Sequence, residues 1–287
     1  MSNVLAVIGG SGLYDLEQLE DTEKVEVSTP FGAPSAKVVR GRIGDTTMLF
    51  LPRHGEGHWI PPSKINYRAN ICALKTLGAT HLLSVSAVGS MKEEIHPGDV
   101  VLVDQFVDLT KHRVSTFFDE GVAVHVAFSD PVCPRMVETA ARACERVGAR
   151  VHRGGTYVCI EGPQFSTRAE SLIYRSWGVS VIGMTNMPEA KLAREAELPF
   201  CTLALATDYD CWHESEEAVT VGAVIETLNK NVAMAKAILV KAAETLPDPQ
   251  DSPAHGALEG AIISSSRAIG ADARARLGWL LDPYLDR

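Results

Sequence analysis

Residues 199–212 read PFCTLALATDYDCW, from Pro199 to Trp212. The run from Phe200 to Ala206 has the length and apolar content of a buried strand. It stops at Thr207-Asp208-Tyr209-Asp210. Two carboxylates two residues apart at the end of a buried strand are costly, because desolvation and mutual repulsion both disfavour their charge. An acid that keeps its proton near neutral pH can protonate a leaving group. In an open α/β sheet the carboxyl ends of strands are where ligands sit. The competing reading is that Asp208 and Asp210 cap the next turn and face water.

The rest of the chain surrounds this strand with others. Short apolar runs at 4–8, 37–42, 46–51, 81–85, 99–106, 156–160 and 179–182 read as strands. Helical spacing of apolar residues marks 63–78, 134–148, 188–197 and 220–246, and Thr167 with Glu170 forms a capping box ahead of another helix. Strands alternate with helices almost throughout. The expectation is an α/β protein of one domain spanning 1–287, with a central mixed sheet flanked by helices. Its core is expected over about 3–246, followed by a helical segment over about 254–287. Residues 107–130 lose all periodicity, which suggests a lid, a binding loop or a subunit contact.

Composition narrows the function. The chain has 287 residues and a formal charge of −9, with Lys and Arg scattered, so nucleic acid and anionic membranes are poor partners. No apolar run is long enough to span a bilayer and no charged-then-apolar leader opens the chain. The six cysteines show no CxxC and mostly sit in apolar segments. They are expected to be reduced, in a cytoplasmic protein without a disulfide framework or zinc site.

Several strand ends carry ligand-binding chemistry. Gly9-Gly10-Ser11-Gly12 follows the first strand and can present backbone N–H groups to an anion, but it lacks the third glycine of a dinucleotide fingerprint. Pro52-Arg53-His54-Gly55-Glu56-Gly57-His58 places an Arg-His pair at another strand end, where a guanidinium fork suits phosphate. The spacing of His54, Glu56 and His58 also allows a metal-dependent hydrolase, although the glycines argue against a shared helical face. Small residues in Ser86-Ala87-Val88-Gly89 leave room for a ligand, or simply for close sheet packing. Phe165, at the turn Glu161-Gly162-Pro163-Gln164-Phe165, can stack on a planar ligand or fill the core.

Taken in order, GGSG, RHGEGH, SAVGS, EGPQFSTRAE, MTNMPEA and TDYDCW resemble the motifs of the purine nucleoside phosphorylase superfamily, trimeric type. Its methylthioadenosine-cleaving members are the most similar, over roughly residues 3–245. The resemblance implies phosphorolysis of 5′-methylthioadenosine to adenine and 5-methylthioribose 1-phosphate. It implies no metal and no organic cofactor, inorganic phosphate being a co-substrate. By the same resemblance Ser11, Arg53, His54, Ser86, Ala87 and Thr185 hold phosphate, Met184 lies against the ribose, and Phe165 and Ser166 meet the purine. Asp208 donates to the imidazole-ring nitrogen of the base and Asp210 accepts from its exocyclic amine. Val221 and Val224 wall a methylthio group, with Ser166 and Val221 setting specificity. His125, with Phe117 and Phe118 exposed beside it, reaches a neighbour's site in a homotrimer. A leucine such as Leu277 or Leu280 is a candidate cover for the methylthio pocket. Asn186 stands where a second threonine is common, and an amide there could read ribose or phosphate. Rival readings are a methylthioinosine or general purine nucleoside phosphorylase, and a catalytically silent nucleoside-binding protein.

Overall fold

The computed structural model describes residues 3–10, 12–13, 15–213 and 221–285; for residues 221–226 and 228 it describes the backbone alone. In chain order the elements are β1 (Val4–Gly9), β2 (Glu20–Val25), β3 (Val38–Ile43), β4 (Thr46–Pro52), α1 (Tyr67–Thr76), β5 (His81–Ser90), β6 (Val100–Leu102) and β7 (Gln105–Asp108). Then follow α2 (Pro134–Arg146), β8 (Val151–Arg153), β9 (Thr156–Cys159), α3 (Arg168–Ser176), β10 (Val181–Gly183), α4 (Asn186–Glu195), β11 (Phe200–Asp208), α5 (Val221–Ala243) and α6 (Ala271–Leu285).

The strands form one mixed sheet in the order β2-β3-β4-β1-β5-β10-β9-β7, with β11 joining β5 to β6 and β8. Alternation along β1 shows how it is covered. Leu5 and Val7 face a cluster with Met136 and Ala140 of α2 and Ile238 and Leu239 of α5. Ala6 and Ile8 face the opposite cluster, with Ile71 and Leu74 of α1, Ala190 of α4 and Leu277 and Leu281 of α6. Both faces are dry, so the central strands carry continuous apolar runs instead of alternating ones. The C-terminal segment therefore packs on the same core as the rest of the chain.

β5 organises the sheet. Its first half, Leu82 to Leu83 among others, lies between β1 and β11, both parallel to it. Its last residues, Gly89 and Ser90, pair with β10 instead, antiparallel. Pairing with β1 ends at Ser84 and pairing with β10 begins at Gly89. Between them Val85 to Val88 keep β11 on one edge and open onto a cavity on the other. The pairing of β11 with β5 also slips between Ala206 and Asp208. Such an irregularity bends a strand and re-aims its side chains.

The sequence missed β2 because EDTEKV has no apolar alternation; it is an exposed edge strand held by β3. Charges on such an edge deter pairing with other chains. The single strand expected over 99–106 is instead two, β6 and β7, separated at Val103-Asp104. Phe117 and Phe118, expected to be exposed, are buried. Phe117 packs against Phe31 and Trp279 at 5.1 and 5.2 Å between ring centroids, so α6 and the segment after β1–β2 cover it.

Candidate active site

A cavity of about 350 Å³ opens where β1, β4, β5, β10 and β11 end or bend. Arg53, His54, Ser86, Ala87, Phe165, Ser166, Met184, Thr185, Asp208 and Asp210 all line it. These residues come from motifs spread over more than half of the chain, and the fold brings them to one place.

At one end lie the carboxylates. Thr207 Oγ1 donates to Asp208 Oδ2 at 2.6 Å, and the backbone N–H of Asp210 donates to Asp208 Oδ1 at 2.8 Å. Ser171 of α3 donates to Asp210 Oδ2 at 2.5 Å. Burial pushes both carboxyls above the usual range; the hydrogen bonds oppose this, and Asp208 repels charge on Asp210. Asp210 sits at φ 55°, a left-handed conformation that aspartate tolerates better than most residues. Behind it Trp212 donates its indole N–H to Ser90 O at 2.8 Å, with the Arg175 guanidinium 3.5 Å above its ring. The turn is thus tied to the end of β5. Gly89 leaves room for the pair: a Cβ on it would stand 3.1 Å from Asp208 Oδ1 and 3.2 Å from Asp210 Cβ, and the aspartates would have to give way by a few tenths of an ångström.

At the other end lie hydroxyls and the Arg-His pair. Ser86 Oγ is 3.0 Å from Thr185 Oγ1. Arg53 does not offer a free fork, contrary to the sequence expectation. Its Nε and Nη2 grip Glu189 of α4 at 2.9 and 3.0 Å, and Nη2 also reaches Ile8 O and Ser84 Oγ. Nη1 donates to Val85 O at 3.0 Å, and its second N–H has no acceptor among the described residues. A buried guanidinium needs a counter-charge, and Glu189 supplies it. His54 donates from Nδ1 to Ile60 O at 2.8 Å, which leaves Nε2 as an acceptor. Burial, then Arg53, lowers its pKa to about 4, so it is neutral near pH 7. An anion at this end therefore meets oriented dipoles and little net charge.

His54 stacks on His58 at 4.1 Å, whereas Glu56 pairs with Lys24 at 2.8 Å. The three residues of the metal reading do not converge. Asn186 is fully buried and outside the cavity; its Nδ2 donates to Ser84 Oγ at 3.0 Å, within the Arg53–Glu189 network. It supports Arg53 and does not read a ligand. Leu277 and Leu280 are core residues and do not line the cavity. Val232 of α5 does line it. Ser11 and the side chains of Val221 and Val224 lie outside the described residues. His125 is exposed and away from this cavity, its N–H bonded to Ala261 O.

Ser166 Oγ is buried in the cavity wall without a hydrogen-bond partner among the described residues, a position that suits a ligand group. Sequence reading also missed Arg113, from the aperiodic segment. It donates to Met184 O at 2.7 Å, Met187 O at 2.6 Å and Glu161 O at 2.7 Å, and pairs with Glu161 at 3.0 Å. It ties the wall carrying Met184 to the turn carrying Phe165. Glu189 and Arg113 gave no sequence signal beyond being charged residues near apolar runs.

Residues 4–244 match the family model of the phosphorylase superfamily. The chain belongs to the phosphorylase superfamily. This phosphorylase is 54% identical to the S-methyl-5′-thioadenosine phosphorylase of Geobacter sulfurreducens, covering 99% of this chain and 100% of the relative. It is 48% identical to that of Thermosynechococcus vestitus, again covering 99% and 100%. Among solved structures it superposes on a methylthioadenosine phosphorylase from an antarctic soil metagenomic library with a TM-score of 0.92 at 47% identity, covering 98% and 100%. It also superposes on a mutant of the Schistosoma mansoni adenosine/methylthioadenosine phosphorylase in complex with methylthioadenosine, with a TM-score of 0.80 at 35% identity, covering 98% and 99%.

Proposed function

We propose that this phosphorylase cleaves 5′-methylthioadenosine with inorganic phosphate, releasing adenine and 5-methylthioribose 1-phosphate. One observation carries the reading. β5 presents Ser86, one of the hydroxyl pair, and Gly89, against the two carboxylates, to the same cavity. They stand three steps apart along the strand, about 10 Å, room for a ribose between an anion and a purine.

In the proposed reaction the bond from C1′ to the purine nitrogen breaks as a phosphate oxygen bonds C1′. Asp208 gives its proton to the imidazole-ring nitrogen of the departing base. Phosphate near Ser86, Ala87, Thr185 and His54 stabilises the positive charge that develops on the ribose. Asp210 accepts from the exocyclic amine, which favours adenine over 6-oxopurines. Phe165 covers the base and Ser166 donates to it. Met184 lies against the ribose, and Val221, Val224 and Val232 form the apolar wall for the methylthio group. We place His125 at a neighbour's site in a homotrimer, and read the protein as cytoplasmic, needing no metal or organic cofactor. All six cysteines are free, five of them buried, which accords with a reducing compartment. Among the described residues no helix is long and apolar enough to cross a membrane.

Release of base from methylthioadenosine, adenosine, methylthioinosine and inosine, each with and without phosphate, tests the proposal. Phosphate-dependent adenine release from methylthioadenosine should be the most efficient. Faster hypoxanthine release, or base release independent of phosphate, would overturn it.

A further inference from the structure

Tyr157 of β9 is fully buried, yet its hydroxyl ends 3.1 Å from Ser86 Oγ. Ser86 Oγ is in turn 3.0 Å from Thr185 Oγ1, and Ser86 and Thr185 both line the cavity while Tyr157 does not. The backbone makes room for this contact. A Cβ on Gly183 would stand 2.0 Å from the Tyr157 oxygen, so glycine there is what lets the phenol reach the hydroxyl pair.

Three hydroxyls this close can turn their hydrogens toward one another or outward, and an anion is served best when those of Ser86 and Thr185 both point outward. Were Ser86 to donate to Tyr157, its hydrogen would be lost to the anion and the phenolic hydrogen would pass to Thr185; only with Tyr157 as donor are both hydroxyl hydrogens free. Among the described residues the only side-chain oxygens that act on the phenol are those of Ser86 and Thr185. Ser86 Oγ also lies 3.4 Å from Ala87 O, too long to compete well. Burial pushes the Tyr157 phenol up to about 12, so it keeps its proton and remains a donor.

We propose that Tyr157 is a positioning residue for the phosphorolysis: it donates to Ser86 and so turns the hydroxyl hydrogens of Ser86 and Thr185 toward the oxyanion co-substrate. The proposal rests on the reading that phosphate lies at Ser86 and Thr185. Without the phenol, Ser86 and Thr185 are free to satisfy each other, and a hydrogen meant for the anion is lost.

Tyr157→Phe, Ser86→Ala and the double variant test it, by KM for phosphate, KM for methylthioadenosine, kcat and the phosphate-induced rise in melting temperature. Phenylalanine fills the same volume. Losing one hydrogen bond to an anion corresponds to a rise of about tenfold in the phosphate KM of Tyr157→Phe. The KM for methylthioadenosine at saturating phosphate should change by less than about twofold, and the tyrosine substitution should cost less once Ser86 is alanine than it does alone. A merely structural role would lower the melting temperature without this selectivity. The phosphate-induced rise should shrink in Tyr157→Phe, and it gives the same comparison for any variant too slow to assay. If Ser86→Ala weakens phosphate and Tyr157→Phe does not, the role of Tyr157 is refuted and the phosphate placement stands. If neither weakens phosphate, the placement itself is wrong.

Discussion

Arg53 and Glu189 form a two-point ion pair, Nε to Oε2 at 2.9 Å and Nη2 to Oε1 at 3.0 Å, with both side chains buried. The guanidinium that borders the cavity is therefore neutralised from behind. Ser84 Oγ donates to the same carboxylate at 2.6 Å and accepts from Asn186, so one polar network ties the residue after β4 to β1, the middle of β5 and α4. Removing one partner of such a pair leaves a buried charge unmatched. Glu189→Ala should lose about 3–5 kcal/mol of unfolding free energy in a urea titration. It should also raise the phosphate KM, as the freed guanidinium repacks. A loss under about 1 kcal/mol would show that the pair does not hold this end of the cavity.

Burial raises Asp208, and the proposed reaction uses its protonated form. Activity should therefore hold below the folded-state pKa of Asp208 and fall as pH rises through it. Asp208→Asn cannot give up a proton to the base. Its kcat on methylthioadenosine should fall about 10²–10⁴-fold, and that alkaline limb should disappear. Its relative preference should move toward 6-oxopurine nucleosides. Full activity on methylthioadenosine would remove Asp208 as the donor.

Gly89 lies against both aspartates, and a methyl group on its Cα would also meet Ile182 Cγ2 at 3.0 Å. Gly89→Ala should displace the aspartate pair by a few tenths of an ångström while leaving the core intact. Misplacement of a proton donor lowers turnover, here by an expected factor of about ten to a hundred. The melting temperature should change little. Turnover within twofold of the parent, roughly 0.4 kcal/mol in barrier, would mean that this contact does not set the geometry.

Glu195 of α4 lies far from the chemistry but holds the aperiodic segment. It accepts from Thr116 Oγ1 and from the backbone N–H of Phe117, each at 2.7 Å. Burial raises its pKa from 4.5 to about 7, the two hydrogen bonds opposing and Asp119 adding to the rise. A carboxyl raised on folding contributes stability that is complete below its unfolded value, 4.5, and is lost as pH climbs through about 7. The swing is about 3 kcal/mol. Denaturant titrations should show the protein less stable at pH 8 than at pH 5, and Glu195→Gln should flatten that slope. A slope unchanged by the substitution would assign it to other groups.

How much of this was legible depended on whether a feature is local. The apolar run of β11 and its terminal aspartates, the proline-led start of α2, and the reciprocal cap of Thr167 and Glu170 all arise from short-range chemistry, and the structure contains each. The motifs that end strands did converge, because parallel strands share a carboxyl edge. What stayed hidden depends on partners distant in the chain. Arg53 looked like a free fork because Glu189 is 136 residues away. Asn186 looked like a ligand group because the Ser84 hydroxyl that orients it sits on another strand. Phe117 and Phe118 looked exposed because the segment around them has no periodicity, yet α6 and Phe31 cover the first of them. The slip in pairing that aims Asp208 into the cavity is likewise a property of two strands together.

A crystal structure with phosphate and an unreactive methylthioadenosine analogue would measure most directly whether an acid and an oxyanion flank the ribose. The base should lie with its imidazole-ring nitrogen within hydrogen-bond distance of Asp208, and phosphate should contact Ser86 and Thr185 beneath the sugar. Phosphate seated on the carboxylate side, or a base bound out of reach of both Asp208 and Asp210, would contradict the account.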